Sequence, residues 1–407
     1  MQSTKASQRL TEFQSLSARV AKHLFLTSTF AFALLFLFAR AAQGQTTLTS
    51  FEDTANLQQD VFYRGTDQHI YMRYYNSQAG SQVQDLTSAS GAPVAASGTA
   101  VTSLKDIAHN EQHVFFEAAN GHIYELYSAS NPASWSVLDV TAATGSGGAA
   151  VATPITSFYD AANKIRFVFY LGLDQHVHVF YWYGSWFASD ATTAAGAASA
   201  ALGSALTSYK DSTTGLEHVL YEGADQHIHE LYSGLNPAVV YTTDTTASSG
   251  ATLAAGATPL TSFFDNARQQ ENIFYIGVDQ HIHHLFFVTY WRSEDVTALA
   301  GATVPSLGSA LSSFSDTASN QLHVFYIGVD QRLHQLYYPG TWLTENVTAD
   351  AGTQIPALNS PLTSFKDDPD NQQHAYFLGA DAHFYHLYYS NGWFSQDLTS
   401  GAPVPAP

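Results

Sequence analysis

The segment Leu-Thr-Ser-Phe-x-Asp returns seven times with small variations, and no other feature narrows the fold as far. Its closing residue falls at Asp53, Asp106, Asp160, Asp211, Asp265, Asp316 and Asp367, in steps of 51 to 54 residues. A second anchor, Gly-x-Asp-Gln-His, follows 14 residues later, with its acidic position at Asp67, Asn120, Asp174, Asp225, Asp279, Asp330 and Asp381. A third, Trp-x-x-x-Asp, gives Trp135/Asp139, Trp186/Asp190, Trp291/Asp295 and Trp393/Asp397. Trp342 pairs with Asn346, and repeats one and four carry Ser81 and Val240 in the Trp slot. Three anchors in one register over seven copies define a unit that buries its apolar surface against copies of itself.

Each unit reads as four short strands. In the sixth they are Leu311–Phe314, His323–Ile327, Leu333–Tyr338 and Trp342–Val347. His323, Phe325 and Ile327 share one face of the second strand and Val324 and Tyr326 the other, so both faces are predicted to be covered. The Ala298–Ala310 stretch shows no helical stripe and reads as a connector. This pattern predicts an all-β, seven-bladed β-propeller of four-stranded antiparallel blades, spanning 45–407. The approximate blades are 48–100, 101–154, 155–205, 206–259, 260–310, 311–361 and 362–407. An open β-solenoid, with shorter rungs, is the alternative. This frame starts on a first strand and ends on a fourth. It predicts a ring shut without strand exchange, by packing between first and last blades; a shifted frame is the other possibility.

Residues 1–44 are a separate object. Lys5, Arg9, Arg19 and Lys22 precede the charge-free apolar run Leu24–Ala39, and small residues follow it. That order predicts a cleavable signal peptide, because 16 residues fall short of the about 20 needed to span a bilayer. The remainder is then secreted, periplasmic or at the cell surface, with membrane contact only if the leader stays uncleaved. Beyond it stand ten Lys and Arg against 33 Asp and Glu. Such acidity disfavours nucleic acid as a partner, since a phosphate backbone calls for a basic face. More than half of these carboxylates are repeat anchors, and so read as turn and strand-end scaffolding. There is no cysteine, which excludes disulfides, thiolate metal sites and a cysteine nucleophile.

The remaining chemistry lies in repeated polar and aromatic positions. Pairs such as His176/His178, His227/His229 and His281/His283 could face a metal. Elsewhere the same positions read His69/Tyr71, His122/Tyr124, Arg332/His334 and His383/Tyr385, and ligands do not tolerate that exchange. No metal or cofactor is expected. Five tryptophans, Trp135, Trp186, Trp291, Trp342 and Trp393, open fourth strands. They serve either as packing residues or as platforms for the C–H face of a sugar ring, with carboxylates, amides or imidazoles nearby to bond its hydroxyls. Absence from two blades favours the platform reading and suggests about five sites. Hydrolase motifs such as Gly-x-Ser-x-Gly and His-Glu-x-x-His are missing. Single-copy carboxylates, among them Glu117, Glu125 and Glu230, come without a recognisable catalytic partner.

The run Asp60–Asp67 with Ile70-Tyr71, and the run His323–Asp330 with downstream Trp342, resemble the repeat of propeller lectins. The similar families are the six-bladed fungal fucose-specific lectins and the seven-bladed bacterial fucose-binding lectins. The resemblance covers 48–407. It implies sugar pockets between blades, where an Arg of the second strand and a Glu of the third bind hydroxyls and an aromatic ring stacks. The Arg slot here holds Asp60, His113, Phe167, His218, Asn272, His323 and His374, with no Arg. The Glu slot keeps Glu125 and Glu230. The polar pockets are therefore expected near His113/Glu125, with Trp135 in the same blade, and near His218/Glu230. The expected function is an exported, multivalent, non-catalytic glycan-binding protein, with fucosylated glycans among its partners. A structural or protein-interaction propeller and an exported glycan hydrolase are the alternatives.

Overall fold

The computed structural model describes residues 47–76, 80–129, 134–234 and 239–406. The leader expected over residues 1–44 lies outside the described residues. The described residues build seven four-stranded antiparallel sheets, each from four consecutive strands. First strands neighbour one another in order, and the last, Leu362–Asp367, neighbours the first, Leu48–Asp53. The fold is therefore a seven-bladed propeller. In blade six the strands are Leu311–Asp316, Gln321–Ile327, Leu333–Tyr338 and Leu343–Asn346. Second strands such as Gln58–Arg64, Ile165–Leu171 and Gln270–Ile276 are buried along their whole length, because each lies between two neighbouring blades.

The Thr-Ser of the first anchor has a structural role that repetition alone did not explain. The Thr, or Ser312, of each blade pairs its hydroxyl with the Ser of the next. The pairs are Thr49–Ser103, Thr102–Ser157, Thr156–Ser208, Thr207–Ser262, Thr261–Ser313, Ser312–Ser364 and Thr363–Ser50, at 2.8–3.1 Å. The last pair returns to blade one, so the belt is closed. Apolar cores fill the seams between blades, for example Val114 and Phe116 with Phe62 and Trp135 between blades one and two. Leu48, Tyr63, Phe365 and Tyr376 belong to the core of the closing seam.

Two expectations are corrected. The connector is not free of helix. A one-turn helix follows the fourth strand in six blades, for instance Leu86–Ser90 and Val296–Ala300. The third-anchor Asp is its N-cap: Asp85 accepts from Ser88 N–H and Asp295 from Ala298 N–H. In five of these helices a glycine such as Gly91 or Gly301 ends the turn in the left-handed region. Five residues are too few to show a 3.6-residue stripe, so only the caps could have signalled the helix. Second, no strand is exchanged at closure, as expected, but packing is not the only bond. Each linker bridges to the following blade, as Ala95 to Ala118 and Pro305 to Gly328. The chain end repeats this with Pro405 and Gly65, while Ala406 N–H donates to Arg64 O.

The histidines of the second anchor are likewise absorbed. His69, His122, His176, His227, His281 and His383 place Nδ1 2.7–2.9 Å from the Asp that closes the fourth strand of their own blade. Blade six replaces both partners, with Arg332 and Asn346. The His/Tyr exchange two residues later is conservative in function: His178 Nε2 and Tyr71 OH both reach the turn carboxylate, Asp174 or Asp67.

Glu117 and Glu222 end the second strands of blades two and four and accept from Thr153 N–H and Thr258 N–H, at 3.1 and 3.0 Å. Burial outweighs these bonds and raises each carboxyl to about 7. An acid raised on folding holds its proton more tightly in the folded state. Its contribution is therefore best near pH 4.5 and declines as pH rises through about 7. The double variant Glu117→Gln/Glu222→Gln should melt roughly 2–5 °C above wild type at pH 8. At pH 4.5 calorimetry should show no gain, and an equal gain at both pH values would refute this assignment.

Candidate functional site

The Arg-slot and Glu-slot residues meet across the hairpin of the second and third strands, twelve positions apart. His113 Nδ1 lies 2.7 Å from Glu125 Oε1, and His218 Nδ1 lies 2.7 Å from Glu230 Oε1. The equivalent pairs in blades five to seven are Asn272–His284, His323–Gln335 and His374–His386, at 2.6–3.0 Å. Blade three is apolar here, with Phe167 and Val179. Burial opposes charge on every one of these imidazoles. In blade two the hydrogen bonds to Glu111 and Glu125 outweigh it and hold His113 above its usual value; Glu230 leads the same effect on His218. Without such partners, burial depresses His323 to about 4 and His374 to about 3. The expected pockets in blades two and four are thus ionic, and the later ones neutral.

The seams beside these two ionic pairs are open. The cleft between blades two and three has a volume of about 430 Å³, within the range of small-molecule sites. That between blades four and five has about 190 Å³. The seams between three and four and between seven and one offer about 10 and 20 Å³, room for about one water each. Those two filled seams are the ones whose Trp slot holds Val240 or Ser81.

In the larger cleft, Glu125 and Arg166 meet, with Tyr127, Trp182 and Trp186 as aromatic walls. Arg166 Nη1 donates to Glu125 Oε1 at 3.2 Å, and Trp186 Nε1 donates to Glu125 Oε2 at 3.2 Å. The guanidinium lies over the Trp182 ring, 3.9 Å from its centroid. His113 is fully buried behind Glu125 and touches Arg166 Nη1 as well, at 3.1 Å. In the smaller cleft, His218, Glu230, Glu271 and Trp291 come together. Burial and the Glu230 carboxylate push Glu271 up.

Two sequence readings change here. No Arg was expected in these pockets, yet one reaches the larger cleft from outside the slot: Arg166 of the following blade, six residues after its anchor Asp160. Trp135 does not join His113/Glu125; it sits one seam earlier, donating to Gln84 and packing edge-on against Phe62. The Trp of each cleft comes from the following blade, so Trp186 serves Glu125 and Trp291 serves Glu230. Trp342 and Trp393 donate to Glu294 and Glu345 of the preceding blades. Trp135, Trp342 and Trp393 are only 4–7% exposed, each edge-on to a Phe. Trp182, Arg166 and Glu271 were missed because blade-to-blade contacts are not written in the spacing of one unit. The one available signal was the rarity of basic residues.

No family model and no curated protein matches the sequence. Solved structures do match in fold. The BP39L lectin from Burkholderia pseudomallei aligns with a TM-score of 0.70 at 14% identity, over 89% of this chain and 99% of its own. The fucose-specific lectin of Aleuria aurantia gives 0.52 at 16% identity, over 75% of this chain and 96% of its own. SapL1 lectin, solved with alpha methyl fucoside, gives 0.51 at 13% identity, over 75% and 96%. The chain therefore shares the fold of the fucose-specific lectin propellers.

Trp135→Ala should cost about 3–5 kcal/mol of stability, because it empties a packed seam. Trp186→Ala, at a half-buried ring on an open cleft, should cost clearly less. Urea denaturation of the two variants checks this, and equal losses would contradict it.

Proposed function

We propose that this chain is an exported, non-catalytic carbohydrate-binding propeller whose sugar sites are the open clefts between blades two and three and between blades four and five. The carrying observation is the group Arg166, Glu125, Trp182 and Trp186. A guanidinium and a carboxylate offer charged donors and acceptors to a rim of hydroxyls. The adjoining indoles offer a flat surface to the C–H face of the same ring. Matched propellers are described as fucose-specific or were solved with fucosides, which makes a fucose-type sugar the first candidate. Two sites on one rigid ring would gain avidity on a glycan-coated surface. The carboxylates singled out for a hydrolase are dispersed. Glu125 and Glu230 stand in different clefts, and Glu117 is bound to a backbone N–H in a seam.

Calorimetry with α-methyl-L-fucoside and a panel of other monosaccharides tests the reading. Arg166→Ala should weaken sugar binding at the larger cleft roughly ten- to hundredfold, the effect of removing a charged hydrogen-bond partner. No binding of any sugar at millimolar concentration overturns the proposal.

A further inference from the structure

The anchor aspartates do more than close their turns. Most also take a donor from the following blade. Asp53 receives Lys105 Nζ at 2.6 Å and Gln112 Nε2 at 2.9 Å. Arg166 Nε lies 3.6 Å from Asp106. Lys210 reaches Asp160 at 2.8 Å, and Ser315 donates to Asp265 at 3.2 Å. Lys366 lies 3.4 Å from Asp316, and Gln59 donates to Asp367 at 2.6 Å. Asp211 is the exception among the described residues. Its bonds come from its own turn, from Thr213 and Thr214. The positions of blade five that could supply a donor hold Phe264 and Glu271. Glu271 occupies the place of Arg166, six residues after the anchor.

The result is an inversion of charge at this position between two clefts that share the His–Glu dyad and the Trp. Donor atoms of Asp211, His218 and Glu271 lie within 4.8 Å of one another, and all three residues are buried. Glu230 stands beside them on His218 Nδ1. Tyr209 OH donates to Glu271 at 2.8 Å. The other ring nitrogen, His218 Nε2, has no hydrogen-bond partner, although the residue is only 3% exposed. The equivalent ring of blade seven directs Nε2 at its own anchor, 3.8 Å from Asp367 Oδ2. Asp211, Glu230 and Glu271 thus set three buried carboxyl groups around one imidazole, an arrangement that must either hold protons or take a counter-charge.

We propose that the inner end of the cleft between blades four and five binds a divalent metal ion through Asp211, His218 Nε2 and Glu271, where the larger cleft uses the Arg166 guanidinium. One imidazole and two carboxylates suit zinc, and two of the three, His218 and Glu271, also line the cleft. This site is separate from the exposed His–Asp pairs of the turns, which serve as caps.

The test is calorimetric titration of the chelator-treated protein with zinc alone, repeated on two variants. Glu271→Arg restores the charge pattern of the larger cleft, and Glu271→Gln keeps the side-chain volume and the bond to Tyr209. Wild type should bind one tightly held ion. Both variants should weaken it by more than the about 10–100-fold that loss of an outer-shell partner costs. If Glu271→Arg fails to fold, Glu271→Gln decides. Absence of a tight site, or wild type and Glu271→Gln titrating alike, overturns the proposal. Sugar binding does not enter this readout, so its outcome is independent of the lectin reading.

Discussion

A belt of hydroxyl pairs runs through all seven first strands and returns to its start at Thr363 and Ser50. Each pair is an ordinary hydrogen bond, with a net contribution of about 1 kcal/mol. Its importance lies in where it sits. Thr and Ser occupy adjacent positions, so every blade presents one hydroxyl to each neighbour. That fixes the approach of consecutive blades at the ring's inner strands. The anchor aspartates extend the same grip outward, capping their own turn and, in most seams, taking a donor from the next blade. With no disulfide available, these seams and their apolar cores carry the cohesion of the ring.

A scaffold repeated this strictly leaves few positions free to vary, and the variation is concentrated where the seams widen. The slot pair changes from His/Glu through His/Gln and His/His to Phe/Val without disturbing strand register. Its charge changes with it. His113 and His218, each bonded to a Glu in its own slot pair, are raised above the usual imidazole value, whereas burial lowers His323, His374 and also His284, which bonds Glu294. Blade three shows the opposite limit. Its slot pair is apolar, the following Trp slot is Val240, and the seam between them has closed around space for about one water.

Fold and seam geometry were not equally legible in the sequence. Blade number, strand order and the third strand of blade six follow from anchors that recur in one register. The pairing of His113 with Glu125 could be read because both belong to one hairpin, where twelve residues of separation fix the contact. Arg166 escaped because its partner lies 41 residues earlier, on another blade, and no repeat period encodes that distance. Trp135 was assigned to the wrong cleft for the same reason: membership of a blade says nothing about which of its two seams a side chain faces. The one-turn helices were missed on different grounds. Hydrophobic periodicity needs more than one turn to register, while the Asp and Gly that cap them were visible throughout.

The position six residues after each anchor emerges as the one through which a blade addresses the seam behind it. Gln59 and Gln112 use it for neutral bonds to the preceding Asp, and Arg166 uses it to place a cation between Asp106 and Glu125. In blade four the same position is Glu217, and Lys210 of the same blade bridges it to Asp160. Blade five has Glu271 with Phe264 in place of that lysine. Donation across the seams is therefore a two-position matter, and among the described residues blade five is the place where neither position gives a donor to the preceding anchor. Two clefts built on the same dyad and the same Trp thus differ in the charge six residues after the anchor, and also in their walls, with Glu111 and Trp182 in one where the other has Leu216 and Phe287. These differences change the chemistry each cleft offers without altering the ring that holds them.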